Sequence, residues 1–291
     1  MGFIFVVPSL IGLFVFFLYP MINSFIISLS DVVIDQNKGL LATMKGFGNY
    51  NDALYVNTEF LPKLTSSLMD MLTSVPVIVL FSFFAATIIN QKFKGRTIAR
   101  VIFLLPIVLS SSAIMTFDTW DALQSGMRSG GFKNIDTAAN ALANFRMADV
   151  IRSFSGLPDS VIATLAGYVD GIYQIVRMSG IQILIMFAGL QSISPSLFEA
   201  ADVEGASSWE KYWLITFPMI SPVLLLATVY TIIDSFTAYN NWVVVLIKDT
   251  MFASQKFGLG SAMAFIYFAI VSVIVALVMF IGNKAVFYYD K

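Results

Sequence analysis

The chain has 291 residues, of which 58% are hydrophobic and 12% charged, and its formal net charge is −1. A water-soluble domain carries roughly 25% charged residues, so this chain has too little polar surface to cover a globule in water, and a bilayer is the solvent that fits. It contains no Cys and no His, which excludes disulfides, thiolate nucleophiles, Cys/His zinc sites, haem ligation by His and a His general base. The near-neutral charge gives no electrostatic case for nucleic acid.

A spanning helix needs about 20 largely apolar residues. Uncharged runs long enough to qualify occur at 3–29, 71–91, 101–117, 178–198, 212–233 and 257–283, so the fold class expected is all-α, a polytopic membrane protein with six transmembrane helices. The first run is too long for a signal peptide and has no basic residue before it. The chain begins almost inside this run, and a basic tail ahead of it is expected in the native protein. No soluble domain fits in any loop, and the whole of 1–291 is expected to form one transmembrane domain.

The segment joining spans two and three carries Lys92, Lys94, Arg96 and Arg100 and no acid. The positive-inside rule places it in the cytoplasm. Alternation then puts both termini and the span four–five loop inside, and the loops 30–70, 118–177 and 234–256 outside. Seven of the 17 basic residues fall inside by this scheme; the others lie in long outer loops, where charge weighs less on topology. Within the longest outer loop, Gly126, Gly130 and Gly131 mark a turn. Residues 134–154 read as an amphipathic helix suited to lying at the membrane surface.

The loop after span four reads Ser194-Pro-Ser-Leu-Phe-Glu199-Ala200-Ala201-Asp-Val-Glu-Gly205-Ala-Ser207-Ser-Trp-Glu210-Lys-Tyr-Trp-Leu-Ile215-Thr-Phe-Pro218. Ser196 with Glu199 fits a capping box that opens a helix, and Ser207 with Glu210 fits a second. Gly205 suits a helix end that needs a left-handed residue. Two short helices meeting at Gly205 are therefore expected. The small Ala200 and Ala201 let a partner approach closely, so the element suits docking into a groove of another protein.

The pattern Glu199-Ala200-Ala201, three residues, Gly205, nine residues and Ile215-x-x-Pro218 resembles the signature of importer permeases in ATP-driven (ABC-type) systems. Ala188-Gly-Leu-Gln-Ser-Ile193, Asn90-Gln-Lys-Phe-Lys-Gly-Arg96 with Arg100 and Pro106, and Gly46-Phe-Gly48-Asn49-Tyr50 resemble the carbohydrate branch, similar to maltose and glycerol-phosphate permeases. The resemblance covers about residues 3–122 and 168–287 and fails over roughly 123–167. It implies a translocation subunit in a bacterial cell membrane, coupling the closure of an ATPase to alternating access for a sugar or oligosaccharide. Glu199, Ala200, Ala201, Gly205, Ile215 and Pro218 are the implied ATPase-coupling residues of a loop at about 194–215. The implied partners are two cytoplasmic ATPase subunits that bind ATP and Mg, a second and non-identical permease, and an extracytoplasmic solute-binding protein.

The phosphate-cradling pattern Gly-x-x-x-x-Gly-Lys-Ser/Thr is approached at Gly126 to Gly131, but Phe132 stands where Lys is needed. ATP hydrolysis is therefore expected on a separate subunit, and this chain is not expected to be an enzyme or to bind a cofactor or metal. An acid within a span is costly and so a functional candidate; Asp234 is one, in a stretch running through Tyr239, Asn240, Asn241 and Trp242. Amides, hydroxyls and aromatic faces suit sugars, which makes Asp234, Tyr239, Asn240 and Trp242 candidates for the substrate path, with Ser111 between Ser110 and Ser112. The competing readings are an interfacial belt for Asp234, Tyr239 and Trp242 and close helix packing for the serines. Gln182 and Gln191 stay open. An ion-coupled secondary transporter would carry paired intramembrane charges, and a membrane-embedded enzyme a catalytic constellation; neither pattern is evident.

Overall fold

The computed structural model describes residues 2–35, 39–91, 178–238 and 241–286, with scattered positions between 161 and 176 that are all helical. The expected third span at 101–117, the basic segment 92–100 and the amphipathic stretch 134–154 lie outside the described residues.

The first apolar run forms α1 (Gly2–Leu13), a π-helical turn (Phe14–Leu18) and α2 (Tyr19–Ser28) end to end. Val6–Ser28 is long and apolar enough to cross a membrane, and its most apolar stretch buries nothing against the rest of the protein. A helix whose most apolar stretch has no buried residue suits lipid, while farther along Phe25 packs edge-on against Phe265 at 5.3 Å. The π turn has a local cause. Pro20 cannot donate to the Phe16 carbonyl four residues back, and its ring would press on that carbonyl in a regular helix. The wider turn relieves the conflict.

An antiparallel hairpin follows, β1 (Ser30–Asp35) and β2 (Gly39–Met44), with Ser30 opposite Met44 and Asp35 opposite Gly39. It corrects the all-helical expectation locally; Val32, Val33 and Ile34 are β-branched and favour the extended state. The fold is otherwise mostly helical. Next come α3 (Gly48–Asn51), a π turn (Asp52–Val56) and α4 (Phe60–Asn90). The Lys45 ammonium donates to Asp52 at 2.7 Å, which holds its pKa above the ordinary value.

Helix α4 begins eleven residues before the run at 71–91 that marks it in sequence. The Asn57 side chain caps it, accepting from the amides of Glu59 and Phe60 at 3.0 and 2.9 Å. Lys63 and Asp70, which interrupt the uncharged run, sit on its first turns. The fourth run also divides differently from expectation. Helix α5 (Gly180–Gln191) stops at Gln191, and α6 (Pro195–Val203) leaves it at 58°. The chain continues through α7 (Ser208–Lys211), a π turn (Tyr212–Thr216), α8 (Phe217–Thr237), α9 (Trp242–Lys248), a π turn (Asp249–Ala253) and α10 (Phe257–Ala285). Among the described residues four helices can cross a membrane, at Val6–Ser28, Phe60–Asn90, Ser208–Thr237 and Phe257–Lys284, or five if the bent pair counts as one.

The chain forms two compact units, one of Met1–Val75 with Val229–Ala285 and the other of Pro76–Thr228 with Val286–Lys291. In the first, Asn49 is buried and donates to the carbonyls of Ser28 and Ser30 at 2.9 and 2.8 Å. Tyr50 shares a hydrogen bond of 2.8 Å with Ser28. A Cβ on Gly258, at the start of α10, would overlap the Ser30 carbonyl and come within 2.7 Å of the Asn49 amide. Asn49 thus ties the end of α2 to the hairpin, and Gly258 lets α10 pass against that knot.

Candidate functional site

The motif-bearing loop lies in the second unit and is built from local rules. Helix α5 ends at Gln191, where Ser192 Oγ donates to the Gly189 carbonyl at 2.8 Å. Ser194 is extended and becomes the N-cap of α6, with Pro195 at the first helical position. The capping box expected from Ser196 and Glu199 does not form. Ser196 Oγ instead pairs with Ser194 Oγ at 2.8 Å, because Pro195 sets the helix start one residue too early for Ser196 to cap it.

Gly205 has φ +82° and follows the last turn of α6. Its amide donates to Asp202 O at 3.1 Å, and that of Ala206 donates to Ala201 O at 2.9 Å. These paired bonds make a Schellman motif, which requires a left-handed residue at this position. The second capping box forms as expected: the Glu210 amide donates to Ser207 Oγ at 3.3 Å, and the Ser207 amide to Glu210 Oε2 at 2.7 Å. Lys211 Nζ reaches back to Asp202 Oδ1 at 2.5 Å and pins α7 to α6. Two short helices therefore meet at Gly205. Glu199, Ala200 and Gly205 are exposed, Ala201 is half-buried, and Val203 is 90% exposed.

The remaining motif positions, Ile215 and Pro218, are half-buried at the junction with α8. Pro218 cannot bond to the Leu214 carbonyl, and Leu214 lies in the π turn Tyr212–Thr216. The offset is the one Pro20 has from its own π turn, so the motif proline has a physical consequence: it widens the turn where the loop enters the span. On the inner side of this turn Tyr212 packs on Phe83 of α4, ring centroids 5.9 Å apart. Gly189 gives close passage between α5 and α8, since a Cβ there would sit 2.8 Å from both methyls of Val223.

The substrate-path candidates are only partly placed. Ser110, Ser111, Ser112, Tyr239 and Asn240 lie outside the described residues. Asp234 is half-buried near the end of α8, and Trp242 is exposed at the start of α9. Gln191 is exposed. Gln182 is buried, and neither end of its amide is hydrogen-bonded among the described residues.

The residue that organises this stretch is one the sequence reading passed over. Asn241 Oδ1 accepts from the amides of Val243 and Val244 at 3.0 and 3.4 Å and from Ser67 Oγ at 3.3 Å. Its Nδ2 donates to Tyr267 Oη at 2.8 Å and to the Ser235 carbonyl at 3.3 Å. It caps α9 and ties α4, α8 and α10 within the first unit. An Asn directly before the apolar run Trp242–Leu246 is a helix-start signal, and that could have found the cap but not the distant partners.

Residues 151–290 match the family model described as binding-protein-dependent transport system inner membrane component. The chain is similar to a "Probable ABC transporter permease protein" of Brucella abortus, 28% identical with 96% of each chain covered. It is also similar to the trehalose/maltose transport system permease protein MalF of Thermococcus litoralis, 26% identical over 93% of this chain and 90% of that one. Among solved structures, a bacterial alginate ABC transporter in complex with an alginate pentasaccharide-bound periplasmic protein contains a chain of like fold. That match has a TM-score of 0.59 and 17% identity, covering 97% of this chain and 94% of that one.

Proposed function

Residues 151–290 belong to the binding-protein-dependent transport system inner membrane component family, and from that premise we propose that the chain is the permease subunit of an ATP-driven importer of sugars or oligosaccharides. The observation that carries the reading is the Gly205 loop: two short, exposed helices with small residues at Ala200 and Ala201, joined through a left-handed glycine and continued directly into α8. Such an element is a rigid lever, locally capped and free on its outer face. Glu199, Ala200, Ala201 and Gly205 make the contact with an ATPase subunit, and Ile215 and Pro218 carry its movement into the span. The trehalose/maltose relative supports a carbohydrate cargo.

In this reading 1–291 is one transmembrane domain of six spans in a bacterial cell membrane, both termini are cytoplasmic, and the loop at about 194–215 faces the cytoplasm. Two ATPase subunits hold ATP and Mg, a second and different permease completes the channel, and an external binding protein delivers the solute. Ser111, Asp234, Tyr239, Asn240 and Trp242 contribute to the substrate path. An ion-coupled secondary transporter is not favoured by the family or its sugar-transporting members.

The test is ATP hydrolysis by the reconstituted complex with and without solute-loaded binding protein. Gly205→Val and Glu199→Lys should leave the chain inserted at near-normal level while stimulated hydrolysis and transport fall at least about tenfold, the equivalent of about 1.4 kcal/mol. Full stimulation in both variants would remove the support for the loop as the coupling element.

A further inference from the structure

The π turn behind the loop has two faces with different surroundings. Tyr212 and Thr216 face inward against the protein. On the other side Trp209 and Trp213 stack edge-on with centroids 5.6 Å apart, and Trp213 packs tilted on Phe217 at 5.2 Å. Phe217 in turn meets Phe83 of α4 at 6.2 Å, which ties this ladder to the protein. Their exposures fall from 71% at Trp209 to 44% at Trp213 and 39% at Phe217, and Leu214 beside them is 73% exposed. Among the described residues neither indole N–H has a hydrogen-bond partner.

We infer that this ladder is an interfacial anchor, seated at the headgroup level of the bilayer, which sets the height of the Gly205 loop. Three observations select lipid as the occupant. The ladder starts where the apolar stretch Ser208–Thr237 starts, so it is continuous with the membrane-crossing surface. Among the described residues the charged side chains next to it in sequence are engaged in local pairs, Glu210 with Ser207 and Lys211 with Asp202, and the face between them is apolar and carries two indoles. Indole is also the side chain whose apolar body and single donor best match the boundary between acyl chains and headgroups. Its role rests on the coupling reading above: a loop pushed by an ATPase transmits tilt to α8 only if its depth is held, and the ladder holds it.

The test uses the full chain by itself in phosphatidylcholine vesicles. Trp120→Phe and Trp242→Phe, combined with either Trp209→Phe or Trp213→Phe, leave one ladder indole as the fluorophore. Lipids brominated near the headgroup should remove roughly half the emission of each, and lipids brominated near the chain ends clearly less. Equal or stronger quenching from chain-end bromines, or none from either lipid, would overturn the anchor; the second result would mean that protein or water covers the ladder. This readout does not depend on coupling, so it can fail while the Gly205→Val test succeeds, and the reverse. The functional half is tested separately. Trp209→Ala with Trp213→Ala should lower stimulated hydrolysis several-fold, and Tyr at both positions should restore most of it. Unchanged stimulation in the double alanine variant would overturn the role in coupling.

Discussion

The Asn49 knot and the Gly205 loop are both turns between helices, yet they are built in opposite ways. Asn49 is buried and its bonds reach backbone carbonyls 19 and 21 residues away. Nearly every bond in the Gly205 loop spans nine residues or fewer, and most of its side chains are exposed. The first arrangement fixes one segment of the fold to another, and losing it leaves buried polar groups without partners. The second is closed by bonds local to the chain and leaves its outer surface exposed, which suits the docking lever proposed for it. A substitution in the knot should therefore cost stability, and one in the loop should cost function.

The largest effect is expected at Gly258. In Gly258→Val the side chain would be forced into the Ser30 carbonyl and the Asn49 amide, so α10 could not keep its approach. Overpacking of about 1–3 kcal/mol adds to a lost buried hydrogen bond of about 1–3 kcal/mol. The purified chain in detergent should melt at clearly lower temperature or fail to accumulate in the membrane. A normal melt would show that the knot is not needed. Asn241→Leu should come next. It leaves Tyr267 and Ser235 without their partner and removes the cap of α9, at about 2–3 kcal/mol. Detergent melts should fall without any change in how the Gly205 loop responds to an ATPase.

The same contrast explains what could be read in sequence. Gly205 and the Ser207–Glu210 box were legible because their partners lie within a few positions along the chain. The Ser196–Glu199 box was a false reading of the same kind, since Pro195 moved the helix start to Ser194. Span boundaries drawn from uncharged runs missed the first turns of α4, where Lys63 and Asp70 sit outside the apolar stretch, and ran past Gln191 into the bend. The hairpin was missed because hydropathy does not distinguish a short outer strand from a loop. Asn49 was visible only as part of a resemblance, and Asn241 only as one polar residue among several. Their partners, Ser28 and Tyr267 among them, are brought close by the fold and by nothing in the local sequence.

A smaller effect sharpens the comparison from the loop side. Tyr55 is 81% exposed on the segment expected to face outward, while Ser208 is exposed on the loop expected to face inward. These 291 residues contain no Cys, so Tyr55→Cys and Ser208→Cys can be probed in them without background. An impermeant thiol reagent should label the first in intact cells and the second only after permeabilisation. Labelling of Ser208→Cys in sealed cells would place the loop on the wrong side for an ATPase.

The smallest effect is expected at the cap of α7. Ser207→Ala removes the oxygen that accepts from the Glu210 amide and the hydroxyl that donates to Glu210 Oε2 at 2.7 Å. Losing such a cap costs about 1 kcal/mol. The Schellman bonds around Gly205 and the Lys211–Asp202 pair remain, so the two helices should stay joined. The cost should therefore appear as fraying of α7, not as unfolding of the protein. Amide exchange at Glu210 and Lys211 should quicken by about fivefold, while exchange in α4 and α10 and the melting temperature stay unchanged, because local opening and global unfolding draw on different bonds. A fall in melting temperature as large as that of Asn241→Leu would mean that the loop is part of the stabilising framework, and the division between a knot that holds the fold and a lever that moves on it would fail.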